Sequence, residues 1–324
     1  MHHYILTTVC VVFCGIFSMP CTASNEDAVR VRVEILKTAV SLGEPIAIRI
    51  IVINNSDNEI KIALFSDLQS NINTGTIEIG VRRDGGEWRA AGLALCINGE
   101  AAQDSLGPGE KFIIEGMVAS KIVASATHNH GMQNHASITN TPGARHVKVY
   151  VAEYAIDQDK VVYADRPSNY ESNIVTVDVT KPESPEAISA SLVFLTGKIA
   201  ESFDLGGISE DQLAKLEEVA LSETDYAPYA GYLLAKHWRV QWQRERSKDR
   251  SISRISTDEQ RWLKIADDDR FPLRSAVLMR EQKIADRLGR KEEAEDIKRE
   301  IVNVYPSSAA AQEIIQFHLV ENID

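Results

Sequence analysis

From Val29 the chain sets apolar and polar residues in strict alternation. Val29-Arg30-Val31-Arg32-Val33-Glu34-Ile35 puts a hydrophobic side chain at every second position, so an extended segment here has one dry and one wet face. After Gly43-Glu44-Pro45 the run Ile46 to Ile53 is β-branched and almost continuous, and it stops at the turn formers Asn54-Asn55-Ser56-Asp57-Asn58. Ile60-Lys61-Ile62 resumes the alternation and is expected to pair back as a hairpin partner. Ile77-Glu78-Ile79-Gly80-Val81-Arg82 repeats the pattern, and Asp84-Gly85-Gly86 supplies the positive φ angles of a tight turn before Trp88. Leu106-Gly107-Pro108-Gly109-Glu110 leads into Lys111-Phe112-Ile113-Ile114-Glu115, and Pro142-Gly143 opens a run from His146 to Tyr154. Ser172-Asn173 precedes the last such run, Ile174 to Val179. The pattern predicts about seven strands, the number of an antiparallel β-sandwich.

The rhythm changes at Lys181-Pro182-Glu183-Ser184-Pro185-Glu186, where two prolines end the last strand and Pro185 is placed to start a helix. Between Glu210 and Leu221 the apolar positions Leu213, Leu216, Val219 and Ala220 recur at intervals of three and four. Tyr226 to Trp242, Glu259 to Ala266, Leu273 to Leu288, Lys291 to Tyr305 and Ser308 to Glu321 continue in that style, for about six or seven helices in all. The expected organisation is therefore residues 1–23 as a signal peptide, 24–181 as the β part and 182–324 as an α-helical domain.

Two resemblances follow. The Gly-Glu-Pro opening of the second strand with Asn54-Asn55-Ser56 at its end, the Pro142-Gly143 opening and the Ser172-Asn173 opening resemble bacterial extracytoplasmic immunoglobulin-like domains. That resemblance implies an immunoglobulin-like antiparallel β-sandwich and attaches no activity to it. In the second half, Leu278, Ala285, Gly289, Ala294, Ile301 and Pro306 stand at the spacing of a tetratricopeptide unit, with small residues where its two helices meet. Tyr226 to Ala235 also resembles the inner helices of such proteins. A degenerate tetratricopeptide-like helical region is the expectation.

The first residues decide the expected compartment. Tyr4 to Phe17 is almost wholly apolar and Ser18-Met19-Pro20-Cys21-Thr22-Ala23 follows, the pattern of a cleavable export signal too short to span a bilayer comfortably. No transmembrane helix is expected elsewhere, so the chain is expected to be exported, to a periplasm or beyond. Cys10, Cys14 and Cys21 precede a cut after Ala23, which leaves Cys96 alone in apolar surroundings and no internal disulfide. The composition, 44% hydrophobic and 25% charged, is that of a folded globular chain, and the formal net charge of -12 argues against binding nucleic acid.

Candidate chemistry is sparse. His128, His130, His135 and His146 could form a weak transition-metal site for zinc or copper if the loop between strands turns at Gly131; a polar connection is the plainer account. Asp267-Asp268-Asp269 reads as a solvated helix end, because consecutive positions splay around a helix axis. His237 to Arg246 is the one basic stretch in an acidic chain, and Trp238 and Trp242 share a helical face. That spacing suits core packing; exposed, Trp238, Trp242 and Arg239 would have the composition of a protein-binding hot spot. The mature chain lacks Gly-x-Ser-x-Gly, His-Glu-x-x-His, Cys-x-x-Cys and a Gly-rich phosphate loop, so no enzyme activity is expected and an unfamiliar hydrolase is the remaining catalytic alternative. The leading expectation is a non-enzymatic interaction or scaffold protein of the cell envelope, with a protein or peptide partner.

Overall fold

The computed structural model describes residues 28–62, 64–65, 68, 71–72, 76–91, 94–95, 102–118, 139–152, 154–157, 160–163, 169–195, 208–248 and 256–321. Sheets come first and helices after. The strands are β1 (Val29–Ile35), β2 (Ala39–Ser41), β3 (Ile46–Asn54), β4 (Leu64–Phe65), β5 (Ile77–Arg83), β6 (Arg89–Ala91), β7 (Ala94–Leu95), β8 (Ala102–Gln103), β9 (Lys111–Val118), β10 (Gly143–Ala152), β11 (Tyr154–Asp157), β12 (Lys160–Tyr163), β13 (Asn169–Glu171) and β14 (Val175–Thr180). One sheet has the order β1-β3-β9-β7, and a second runs β2-β14-β10-β5-β6 with β13 also on β10. The pairs β11-β12 and β4-β8 form two short ribbons. Pairing is antiparallel except between β14 and β2.

The alternation read from β1 is the alternation observed: Val29, Val31 and Val33 are buried, while Arg30 and Arg32 face solvent. Those valines join Ile48, Ile50 and Val52 of β3, Ile77 and Ile79 of β5, Val147 and Val149 of β10 and Val177 of β14 in one cluster shared by the two larger sheets. Burying each such side chain contributes about 1.5–3 kcal/mol, which makes this cluster the main stabilising element of the first half. The apolar run of β3, continuous but for Arg49, also has a cause. Its even positions fill that cluster, whereas Ala47 on the opposite face belongs, with Met117 of β9, to the core of the helices. A strand covered on both sides needs no wet face.

Three expectations change. Ile60-Lys61-Ile62 is not a hairpin strand: Ile60 makes an isolated antiparallel bridge to Leu106. Both edges of β3 are already taken by β1 and β9, and the Asn54 side chain ties the turn itself to the Asn58 and Leu106 carbonyls. The run expected from His146 to Tyr154 ends at Ala152, and Tyr154 begins the separate ribbon with β12. Finally, fourteen strands stand among the described residues where about seven were expected, because eight of them are four residues or shorter, too short to show a period of two.

Seven helices follow among the described residues: α1 (Pro185–Leu195), α2 (Glu210–Ala220), α3 (Ala227–Lys248), α4 (Thr257–Ala266), α5 (Arg274–Arg287), α6 (Lys291–Val304) and α7 (Ala309–Glu321). Ser209 caps α2 in a reciprocal capping box with Gln212, and Ser256 caps α4. Tyr229 and Tyr232 of α3 pack on Phe271, at 5.2 and 5.4 Å between ring centres. Gly231 lets α4 come close, since a Cβ there would lie 3.0 Å from the Trp262 carbonyl oxygen. In the α5-α6 hairpin, Gly289 takes φ +76° at the turn, and Leu278, Ala285, Ala294 and Ile301 are all buried. None of these helices is long and apolar enough to cross a membrane.

The helices pack on the outer face of the first sheet, and polar groups fix that junction. Glu44 is fully buried and accepts hydrogen bonds from the Tyr229 hydroxyl (2.8 Å), the Lys37 ammonium (2.7 Å) and the Ser41 amide (2.8 Å). The Tyr226 hydroxyl donates to the Leu42 carbonyl at 2.6 Å. Gly43 makes the intervening turn with φ +81°, and a Cβ on it would come within 2.7 Å of the Ser191 carbonyl oxygen. Glu115 of β9 is bridged by Arg49 at 2.7 Å and also accepts from the Ala309 amide at the start of α7. Burial, opposed by Arg49, raises its carboxyl above the ordinary value. Gln312 of α7 completes the edge of β9: it accepts from the Ile113 amide at 2.8 Å and donates to the Lys111 carbonyl at 3.2 Å.

Candidate functional site

The site that stands out lies where α3 leaves the body of the protein. From Ala227 to Lys236 every residue of α3 is buried, and beyond His237 the helix becomes progressively exposed. Sequence explains the change, since the aromatic and aliphatic residues of the first half give way to Gln241, Gln243, Arg244, Glu245 and Arg246. His237 meets Trp238 edge to face at 5.5 Å, and burial, then the nearby Arg244, lowers its pKa. Trp238 packs against the helical core, with its indole N–H buried and without an acceptor.

One turn further on, Trp242 is only partly buried, and the Arg246 guanidinium lies 5.1 Å from its ring centre. Trp242, Gln243, Arg246 and Ser247 form one wall of an open groove of about 480 Å³, and Arg287 at the end of α5 forms the other. Among the described residues no carboxylate lines it. The expected hot-spot residues thus separate: Trp242 lines the groove, whereas Trp238 and the partly buried Arg239 do not. Arg246 stood in the basic stretch read from the sequence. Arg287, forty-one positions further along, carried no local signal, because only the packing of α5 brings it here.

A second aromatic feature has a carboxylate paired with one of its two cations. On the outer face of the second sheet Arg82 and Lys148 sit 4.7 and 4.6 Å from the centre of Trp88, and Lys148 also lies 4.5 Å from that of Tyr150. Here Lys148 is paired with Glu171 at 2.8 Å, so the ladder carries its own counter-charge.

Of the expected metal ligands, His146 is among the described residues. His128, His130 and His135, like Cys96, lie outside the described residues. His146, on β10, has Nε2 2.6 Å from Asp84 and Nδ1 3.0 Å from the Thr176 hydroxyl, so both ring nitrogens are engaged within the sheet. Among the described residues no group of three or more His, Cys, Asp or Glu side chains is placed to hold a metal ion.

Nor do the consecutive aspartates converge. Asp267 and Asp269 bond Arg274 at 2.6 and 2.7 Å, while Asp268 bonds Arg270, which holds its carboxyl below the usual range. Glu281 on α5 is the unusual neighbour. Burial first, then Asp267 and Glu293, push its carboxyl up to about 7 against the pull of Lys264 and Arg274. Between pH 4.5 and 7 the folded chain therefore keeps a proton that the unfolded chain releases, so this group makes the fold less stable as pH rises through that window. Glu281→Gln is expected to flatten that slope in thermal melts taken from pH 5 to 8 and to raise the midpoint at pH 8 by about 3 °C. An unaltered slope in the variant would contradict the assignment.

A crevice of about 610 Å³ at the junction of sheets and helices is lined by Lys181, Glu183, Glu186, Glu223, Asp225 and Tyr226, among others. Burial, then Glu44, keep the Tyr226 hydroxyl protonated far above its ordinary range, as a donor to Leu42 and no base.

No protein-family model matches the chain, and no curated protein matches it. Solved structures show low-level likenesses to about half of it. A β-glucosidase from Listeria innocua in complex with glucose aligns over 47% of this chain at 15% identity and TM-score 0.24, and the chain covers only 16% of that enzyme. The CARDB domain of a Pyrococcus furiosus protein aligns over 47% at 12% identity and TM-score 0.23, with 94% of the domain covered. The alkylpurine DNA glycosylase AlkC of Pseudomonas fluorescens bound to DNA containing an abasic site analog aligns over 47% at 14% identity and TM-score 0.24, with 30% covered. At these scores the likenesses assign no family, and the chain stands on its own geometry as a β-then-α protein.

Proposed function

We propose that this chain is a non-enzymatic interaction protein of the cell envelope or exterior, whose partner docks on the exposed end of α3. In this reading residues 1–23 direct export and are removed, residues 24–181 form an immunoglobulin-type sandwich, and the tetratricopeptide-like region from residue 182 presents the docking face. The Trp242 groove carries the reading. A partly exposed tryptophan flanked by arginines, on a helix whose other half is locked into the core, has the rigidity and composition of an interface anchor. The two sheets with one shared cluster support the sandwich, and the buried small residues of the α5-α6 hairpin support the repeat-like helices.

Site-specific photo-crosslinking tests the docking face. A photoreactive residue at Gln243 in the groove is expected to give a discrete adduct in cell-envelope extract, and the adduct is expected to disappear when Trp242→Ala is added. The same probe at the exposed Arg299 of α6 serves as the control. Equal labelling from both positions, or an adduct indifferent to Trp242→Ala, counts against the proposal.

A further inference from the structure

We infer that the α3-α5 groove takes an acidic peptide segment, with Arg246 and Arg287 engaging its carboxylates and Trp242 covering an apolar side chain between them; this rests on the reading of that face as a docking surface. Charge is the first ground. The chain carries a formal net charge of -12, yet among the described residues two arginines and no carboxylate line this groove. At Trp88, by comparison, Lys148, one of the two cations beside the ring, is met by Glu171. The described residues that line the groove put two guanidinium groups beside Trp242 and no carboxylate, so a ligand's carboxylate is the complement they fit.

Chemistry and size narrow the ligand. A guanidinium presents a planar fork of donors suited to a carboxylate, and its stacking on the indole holds it ready for one. A volume of about 480 Å³ accommodates a few residues. An extended segment with two or three Asp or Glu residues around one aromatic or aliphatic side chain matches both walls.

The test is fluorescence anisotropy of the full chain with four labelled probes: a ten-residue Asp/Glu-rich peptide containing one Phe, its Gln/Ser counterpart, its Lys counterpart and oligothymidylate. The acidic peptide is expected to bind best, to weaken about tenfold in R246E/R287E, and to weaken also in wild type between 50 and 500 mM salt. The salt response needs no variant and so does not depend on the variants folding. If the acidic and Gln/Ser peptides bind alike and both depend on Trp242, the docking face stands and its acidic preference is overturned. If no peptide responds to Trp242→Ala, both readings fall. Tighter binding of oligothymidylate than of the acidic peptide overturns the inference in favour of a nucleic acid.

Discussion

Glu259→Ala is expected to cost about 4 kcal/mol of unfolding free energy, the largest loss from any single truncation considered for the helical part. Glu259 of α4 and Arg280 of α5 are both almost fully buried and meet in a two-pronged ion pair, Nε to Oε1 at 2.5 Å and Nη2 to Oε2 at 3.0 Å. Such a pair gains little relative to apolar packing, because moving both ions out of water offsets most of their attraction. Removing one partner is different. The Arg280 guanidinium would remain in the interior with no carboxylate, and burying an unpaired charge is what makes the loss large. Glu259→Leu combined with Arg280→Met is therefore expected to recover most of the loss. Urea unfolding of the three chains checks this, and the idea fails if the double variant is no more stable than Glu259→Ala.

The second large effect sits at the junction. Glu44→Ala is expected to cost about 3 kcal/mol, because it removes the buried acceptor of the Tyr229 hydroxyl and the Ser41 amide. Lys37 adds less, as its ammonium is partly exposed and solvent screens it. Tyr229→Phe removes one donor and leaves Glu44 its other two partners, so about 1 kcal/mol is the expected loss there. The contact joins the β2-β3 turn to α3, so hydrogen exchange should accelerate in both places in Glu44→Ala, and only there at first. A loss below that of Tyr229→Phe, or exchange confined to the turn, would show that Glu44 is not what couples the two parts.

These residues also mark how far the sequence could be read. The alternation in β1 named its buried face correctly because that strand is covered on one side only, and the prolines after Thr180 placed the change to helices. Helix spans from α2 onward were legible because a three-to-four spacing persists over eleven or more residues in most of them. Glu44 was visible only as a turn residue: its main partner is 185 positions away, and no local pattern announces a carboxylate as a buried acceptor. The groove was half legible for the same reason. Trp242 and Arg246 share a helical face by arithmetic, whereas Arg287 arrives through the packing of another helix. Of the histidines singled out in the sequence, His146 is described, and its ring is held by Asp84 and Thr176.

The bonds from Gln312 to the rim of β9 have a bearing on how the chain can safely be made or cut. A strand margin with an amide and a carbonyl pointing outward is a template on which another molecule's strand can assemble, and α7 occupies that margin with a single amide side chain. A product ending ahead of Ser308 would lose this guard together with the packing of Ala310, Ala311 and Ile314, so polymerisation through the uncovered margin would accompany the loss of that core.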